Sequence, residues 1–120
     1  MKGIVITTDQ KLTVQEFSSP LHKTVSAVVD GPIEMISPRG LSHPYRMFVN
    51  ENGQLLDLRI NPIGSWLYGT YAHGHPILGT IVIMKIGMTP DGPDIIGLTD
   101  DEIETITTEF RTAFCLERSN

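Results

Sequence analysis

Cysteine, cationic residues and long apolar runs are all scarce in this chain of 120 residues. The single cysteine, Cys115, excludes an intramolecular disulfide and a cysteine-rich zinc site. Nine lysines and arginines against fourteen acidic residues give a net charge of −5, which disfavours binding to nucleic acid through its phosphates. No apolar run approaches the roughly 18 residues of a transmembrane helix, and the first residues lack the signal-peptide pattern. We therefore expect a cytoplasmic protein that contacts neither nucleic acid nor a membrane.

The apolar residues that are present suffice for one folded domain. They make up 40% of the chain, and a chain of this length buries a single core. Strand patterns are found at 2–7, 11–17, 32–37, 45–49, 56–60 and 80–86, and helix patterns at 20–29, 62–68 and 100–114. We predict one α+β domain over residues 1–120, with a frayed tail at 116–120. Its mostly antiparallel sheet would have four to six strands, with two or three helices packed on it.

A hairpin is predicted in the middle of the chain. An Asn-Gly pair at 52–53 tolerates the positive φ that a tight turn needs, and it separates the alternating segments 45–49 and 56–60. Residues 81–84 are the most apolar stretch, which predicts a central strand. The proline- and glycine-rich stretch 87–97 is predicted to be a connecting loop.

Capping residues predict where the helices begin. The Ser-Ser-Pro sequence at 18–20 favours a serine cap and a proline in the first turn. Asn61 precedes a proline in the same way, and Thr99 with Glu102 has the spacing of a capping box. The residues from 69 to 76, which include glycines and a proline, are predicted to be a loop.

The segment 61–76 has the composition of a ligand-binding site. Aromatic faces can stack on a ring or base, and the start of a helix offers free N–H groups to an anion. The alternative is structural, with the tryptophan packing the helix on the sheet and the glycines serving turns. The side chains that we expect to bind a ligand are Asn61, Trp66, Tyr68, His73 and His75.

A second candidate is the stretch 38–46, which combines arginine, histidine and tyrosine without an acidic residue. Arg39 and Arg46 are expected to clamp a phosphate or carboxylate with paired N–H donors, and His43 lies between them. The alternative is a surface loop whose arginines pair with the many carboxylates of the chain. A structure in which this stretch and the segment 61–76 line one hollow would support a small-molecule site.

Other chemistry is conceivable at His73 and His75. Side chains two residues apart in an extended segment point the same way, so both imidazoles could reach one metal ion, with His43 or Glu51 as a third ligand. They could also act as a general acid and base, or hold the loop by hydrogen bonds. Because no spaced metal or catalytic signature accompanies them, we predict no metal, no cofactor and no catalytic residue.

Four stretches carry a family resemblance. They are Glu34, Val-Asn-Glu-Asn-Gly at 49–53, Leu-Arg-Ile-Asn-Pro at 58–62 and Pro-Ile-Leu-Gly-Thr-Ile-Val-Ile at 76–83. In these stretches the chain resembles a small uncharacterised family of domains of unknown function, carried on phages and mobile elements of gut bacteria. The resemblance implies no established activity. It implies a setting in the bacterial host cytoplasm, and it keeps Asn50 and Glu51 as site candidates although both also fit a turn.

Three functions remain for this chain. We expect a non-catalytic module, assembled as a homo-oligomer, that sequesters an anionic nucleotide-like signalling molecule in counter-defence. One alternative is an acidic inhibitor that docks on a host protein. The other is a phosphoesterase or hydrolase that uses His73 and His75. Oligomerisation is expected because small sheet proteins gain stability by covering their edges.

Overall fold

The computed structural model describes residues 1–116, apart from the side chain of His73. The strands are β1 (Lys2–Ile6), β2 (Leu12–Glu16), β3 (Ile33–Ile36), β4 (Tyr45–Asn50), β5 (Ile81–Thr89) and β6 (Gly92–Ile96). The helices are α1 (Leu21–Val29), α2 (Pro62–Tyr68), α3 (Thr70–His73) and α4 (Asp100–Ala113). The α+β class predicted from the sequence is confirmed.

The structure differs from the sequence prediction in the loop at 69–76 and at the start of the tail at 116–120. The predicted loop at 69–76 contains the single helical turn α3, which explains why the described residues have four helices where the sequence predicted two or three. Of the tail predicted at 116–120, only Leu116 is described, and it packs against the core. The remaining four residues lie outside the described part of the chain.

The six strands form one antiparallel sheet with β5 at its centre. The order is β2-β1-β5-β4-β3. β1 pairs with residues 81–83 of β5, and β6 pairs with residues 85–89 farther along the same strand. The central position predicted for residues 81–84 is confirmed, and these four side chains are fully buried because helices cover both faces of the sheet.

The two faces of the sheet carry different helices. On one face, Val25 and Val29 of α1 pack with Phe48 and other apolar residues of the sheet. On the other face, α2 and α4 pack in a cluster that includes Val49 and Ile83. Side chains alternate along a strand, so the neighbours Phe48 and Val49 face opposite helical layers.

The hairpin predicted at 45–60 is wrong. Residues 51–57 form consecutive turns, and Ile60 makes only an isolated bridge, with Leu78. Both edges of β4 are already paired, with β3 on one side and β5 on the other, so no edge is left for a strand at 56–60. Leu56 and Ile60 are consequently more than half exposed.

The tight hairpin occurs instead at 87–97, where the sequence predicted a loop. β5 runs to Thr89 and β6 begins at Gly92, so Pro90 and Asp91 make a two-residue turn. Gly92 has a φ of 106°, which favours glycine, and its carbonyl accepts a hydrogen bond of 2.7 Å from the Thr89 hydroxyl. The proline, aspartate and glycine that form the turn also made the flanking strand look like a loop.

The predicted caps are confirmed for α2 and α4 and wrong for α1. The Asn61 side chain accepts from a backbone N–H of α2, and Thr99 with Glu102 makes both hydrogen bonds of the capping box. Pro20 occupies the N-cap position of α1 and has no side-chain cap to offer. The serines at 18–19 therefore lie too early in the chain to cap this helix.

Candidate ligand-binding site

A cleft of about 320 Å³ opens between β3, the turn after β4 and the segment after α3. We call it the Glu34 cleft. It is lined by Glu34, Ile36, 49–55, Tyr68 and 75–78. Its size lies at the lower end of the range of about 300–1,000 Å³ that is usual for small-molecule sites.

The turn that forms one wall is held by the buried side chain of Asn50. Its amide nitrogen donates to the Val29 carbonyl at 2.9 Å, and its amide oxygen accepts from the Asn52 N–H at 2.8 Å. The Glu51 N–H donates to the Pro32 carbonyl at 2.8 Å. The turn is therefore tied to the end of α1 and to the start of β3, which fixes the backbone that carries the Glu51 side chain.

Glu34 provides a second carboxylate from the edge strand β3. It lies opposite Val49 in the antiparallel ladder, so both side chains emerge on the α2 face of the sheet. Glu34 and Glu51 are both exposed. Since the described lining residues include no lysine or arginine, the cleft presents mainly hydrogen-bond acceptors. Such a lining suits the hydroxyl and amino groups of a ligand better than its phosphates.

The facing wall contains two residues that the sequence predicted, Tyr68 and His75. The Ser65 hydroxyl accepts from the Ile77 N–H at 2.9 Å, and the Thr70 hydroxyl donates to the His75 carbonyl at 2.6 Å. These bonds fasten the segment after α3 to the two short helices. Tyr68 is half-buried at the end of α2, and His75 is exposed.

Asn61 supports this wall from inside the core. Its side chain is completely buried, and its amide nitrogen donates to the carbonyls of Ile6 at 3.0 Å and Gly79 at 2.9 Å. Its oxygen accepts from the Gly64 N–H at 2.9 Å. Each polar atom of the amide is thus engaged by the fold, and the residue positions α2 relative to β1.

The stretch that carries Arg39 packs against α2. The Gly40 N–H donates to the Leu67 carbonyl at 3.0 Å. A Cβ atom on Gly40 would lie 2.6 Å from Cζ3 of Trp66, and one on Gly69 would lie 2.8 Å from Cδ of Arg39. The Arg39 side chain therefore packs on the residue that follows Tyr68, but Arg39 does not line the Glu34 cleft.

Trp66 and Arg39 keep part of their surface available. Trp66 is 47% exposed, and its ring meets Phe114 edge-on at a centroid distance of 5.4 Å. Within residues 1–116, no carboxylate lies within 4.0 Å of the Arg39 guanidinium. The contact with Phe114 agrees with the alternative in which Trp66 has a structural packing role. For Arg39, the alternative was a surface ion pair with a carboxylate, and the described residues show none.

Arg46 and His43 do not join this group. Arg46 lies in β4 opposite Met84, which faces α1, and its guanidinium donates to the Tyr45 carbonyl at 2.9 Å. Strand alternation therefore places it on the face away from α2. His43 is exposed in the loop before β4 and does not line the Glu34 cleft. The clamp of Arg39 and Arg46 is consequently not formed within one chain.

His73 lies in α3, and its side chain is outside the described part of the structure. Among the residues that are described, no group of three or more His, Cys, Asp or Glu side chains is arranged to hold a metal ion. Cys115 is exposed just after α4. Of the two histidines, His75 lines the Glu34 cleft.

Glu34, Asn52 and Leu78 also line the cleft, although the sequence did not predict them as site residues. These positions are far apart in the chain, and only the fold brings them together. The available signal was the resemblance, because the stretches that carry it include Glu34, the turn at 49–53 and the start of 76–83. Three of its four stretches converge on one cavity.

No curated protein and no solved structure matches this chain. In residues 1–116, no helix combines the length and apolar character needed to cross a membrane. A family model described as domain of unknown function (DUF3846) matches residues 1–111, nearly the whole chain. The chain therefore belongs to the DUF3846 family of domains of unknown function.

Proposed function

We propose that the chain binds a nucleotide-like small molecule in the Glu34 cleft and sequesters it without chemical change. The observation that carries this proposal is the convergence of an aromatic ring, an imidazole and two carboxylates on one cavity of about 320 Å³. The walls are held by buried amides and by backbone hydrogen bonds, so little ordering is needed when a ligand binds.

In this proposal, different residues contact the base, the ribose and the phosphate of the ligand. The ring of Tyr68 offers a face on which a base can stack. Glu34 and Glu51 accept hydrogen bonds from ribose hydroxyls or from an exocyclic amino group. Arg39, beside the wall, is the cation to which a phosphate at the mouth of the cleft would extend. We therefore expect the anionic group of the ligand to bind next to the cleft and not inside it.

The setting of this proposal is a phage or mobile element acting in the cytoplasm of a bacterial host, where sequestration of a signalling nucleotide serves counter-defence. We also propose that the chain assembles as a homo-oligomer. In the described part of the sheet, β2 and β3 each leave one edge unpaired, and Val14 and Met35 on these strands are about half exposed. Such edges favour pairing with another copy of the chain.

A thermal-shift series tests the proposal. Nucleosides and their mono-, di- and cyclic phosphates are each added to the purified protein, because a ligand that binds only the native state raises its Tm. We expect a nucleoside to produce a shift, and its phosphate to produce a larger one. No shift with any member of the panel would contradict the proposal.

Two variants locate the site. The double variant Glu34→Gln, Glu51→Gln should reduce the ligand-induced rise in Tm. Glu104 is exposed on α4 outside the cleft, so Glu104→Gln should leave that rise unchanged. Mass spectrometry of the ligand released by heating then distinguishes storage from catalysis. Recovery of intact ligand supports sequestration. Recovery of hydrolysed ligand would support the phosphoesterase function instead, and His75→Ala would then test the role of that histidine.

The inhibitor function keeps one observation in its favour. Asp91, Asp94, Asp101 and Glu104 are exposed on the turn before β6, on β6 and on the first turns of α4. These exposed carboxylates do not line the Glu34 cleft, and acidic groups of this kind suit a basic host protein. This function becomes the better account if the nucleotide panel produces no shift.

A further inference from the structure

The register at the end of β4 brings Glu34 and Glu51 together. The Glu51 N–H donates to the Pro32 carbonyl at 2.8 Å, which extends the antiparallel ladder of β3 and β4 by one pair. Since Glu34 lies opposite Val49, Glu51 is its diagonal neighbour on the same face of the sheet. Diagonal neighbours are about 7–8 Å apart, so the two carboxylates lie side by side at the Glu34 cleft.

Arg39 lies beyond the other end of β3. Glu51 is opposite Pro32, just before β3 begins, and Arg39 follows the last residue of β3 by three positions. The Arg39 side chain packs on Gly69. Glu34, which is within β3, therefore lies between a carboxylate at one end of the strand and a cation at the other. A nucleotide has the same order of groups, with its ribose between the base and the phosphate.

The turn beside Glu51 also supplies hydrogen-bond donors. Asn52 and Gln54 line the cleft, and each carries a side-chain amide with two N–H donors. The backbone of the turn is held by the Asn52 N–H, which donates to the Asn50 side chain at 2.8 Å. This end of the cleft thus combines a carboxylate, which only accepts hydrogen bonds, with amides that can donate them.

Guanine is the nucleobase whose edge fits this combination. Its N1–H and its 2-amino group are adjacent donors, which one carboxylate can accept with its two oxygens, and its O6 atom beside them accepts from an amide. Adenine and cytosine instead place the lone pair of a ring nitrogen beside their amino group, and uracil places a carbonyl on each side of its N–H. A carboxylate that faces any of these three bases also meets an acceptor, which repels it.

We propose that the nucleotide bound in the Glu34 cleft carries guanine. Glu51 accepts from N1–H and from the 2-amino group, an amide of the turn donates to O6, and Glu34 accepts from the ribose hydroxyls. The phosphate extends towards Arg39. This assignment rests on the proposed function, because it names the base of the ligand that the same cleft sequesters.

Four 5′-monophosphates test the assignment, namely those of guanosine, inosine, adenosine and 2′-deoxyguanosine. Each is titrated into the full chain by calorimetry, and their equal charge keeps the contribution of Arg39 constant. Inosine lacks only the 2-amino group, so we expect its monophosphate to bind roughly five- to tenfold more weakly than that of guanosine. The adenosine compound should bind more weakly still. The 2′-deoxyguanosine compound should lose roughly threefold, because one ribose hydroxyl is missing.

Variants assign the two carboxylates. Glu51→Ala should abolish the preference for guanosine over inosine and keep the preference for ribose over deoxyribose. Glu34→Ala should do the reverse. Glu104→Ala, at an exposed glutamate outside the cleft, should change neither preference. Glu34 and Glu51 are both exposed, so we expect both variants to fold, and thermal denaturation of each free protein checks this.

The outcomes separate this assignment from the proposed function. Binding of adenosine monophosphate as tightly as guanosine monophosphate would overturn the assignment of guanine and leave sequestration of a nucleotide intact. A preference for guanosine over inosine that survives Glu51→Ala would overturn the role of Glu51. Failure of all four monophosphates to bind would contradict the proposed function itself, and the assignment of guanine with it.

Discussion

Two buried asparagines connect the elements around the Glu34 cleft. Asn50 joins the turn after β4 to α1, and Asn61 joins α2 to Ile6 of β1 and to Gly79. A buried amide that loses its partners also leaves those partners unsatisfied, so such residues cost more to remove than exposed ones. The site is therefore shaped by residues that do not line it, or line it only in part.

Asn61→Ala is expected to lower the free energy of unfolding by about 2–4 kcal/mol, since it removes a helix cap and the amide that donates to two carbonyls in the core. The measurement is urea denaturation followed by circular dichroism. Asn52→Ala provides the control, because Asn52 contributes its backbone N–H to the turn and its side chain is partly exposed. Equal losses in the two variants would contradict the role given to the Asn61 amide.

The sequence predicted one of the roles of Asn61 and missed the other. Its position before a proline marks a helix cap, which depends only on residues within one turn. Its two donated hydrogen bonds reach residues 55 positions earlier and 18 later in the chain. No local pattern indicates such partners, and the residue was accordingly predicted to be a ligand-binding side chain.

At the scale of elements, α4 is fastened to the sheet by a partly buried ion pair. Lys85 of β5 contacts the Glu102 carboxylate at 2.7 Å, and the Tyr45 hydroxyl donates to the same carboxylate at 3.2 Å. Burial alone would raise the pKa of Glu102, but hydrogen bonds from Lys85 and from the Thr99 backbone and side chain lower it to about 2. Burial and the negative charge of Glu102 raise the pKa of Tyr45.

The pH dependence of stability should show this interaction. A carboxyl group whose pKa is lower in the folded state stabilises the fold above its unfolded pKa of 4.5, and this contribution is lost as the pH falls towards about 2. We expect Glu102 to account for on the order of 2 kcal/mol of that loss. Denaturation at several pH values should show a smaller acid loss in Glu102→Gln than in the natural chain. A Glu104→Gln variant with the same reduced loss would argue against this assignment.

The packing of the Arg39 stretch on α2 can be tested through Trp66, the only tryptophan. Gly40→Ala places a methyl group too close to the indole, so we expect a shift of its fluorescence maximum and a loss of about 1 kcal/mol of stability. Gly74→Ala is the control, because a Cβ there meets nothing within 4 Å although its φ of 80° makes alanine unfavourable. It should destabilise the fold without changing the Trp66 emission. An unchanged emission in Gly40→Ala would mean that the stretch does not pack on α2.

Elements whose signals are local were predicted, and those decided by distant partners were not. The cap of α4 depends on Thr99 and Glu102, three residues apart, and the apolar content of 81–84 alone predicts a central strand. The prediction of a strand at 56–60 was wrong because β4 is already paired on both sides, with β3 and with β5. β6 was predicted to be part of a loop because the proline, aspartate and glycine of its turn are typical loop residues.

At the scale of the whole molecule, the sheet separates two cavities of different chemistry. The Glu34 cleft presents carboxylates, an imidazole and a phenol ring. A cavity of about 370 Å³ beside α1 has a mainly apolar wall that includes Leu21, Val25 and Phe48. The sequence predicted the class of the fold and two lining residues of the Glu34 cleft, Tyr68 and His75. The resemblance kept Glu51 as a candidate, but the Glu34 carboxylate was not assigned to the site.

Chemical-shift mapping with a nucleoside and its phosphate tests the central claim most directly. The ¹⁵N-labelled chain is titrated with each, and the amide shifts are placed on the structure. Binding in the Glu34 cleft predicts saturable shifts at 34–36, 49–55 and 75–78 with both ligands, and a further shift near Arg39 with the phosphate alone. Shifts confined to other parts of the chain, or none at ligand concentrations that saturate ordinary nucleotide sites, would contradict the account.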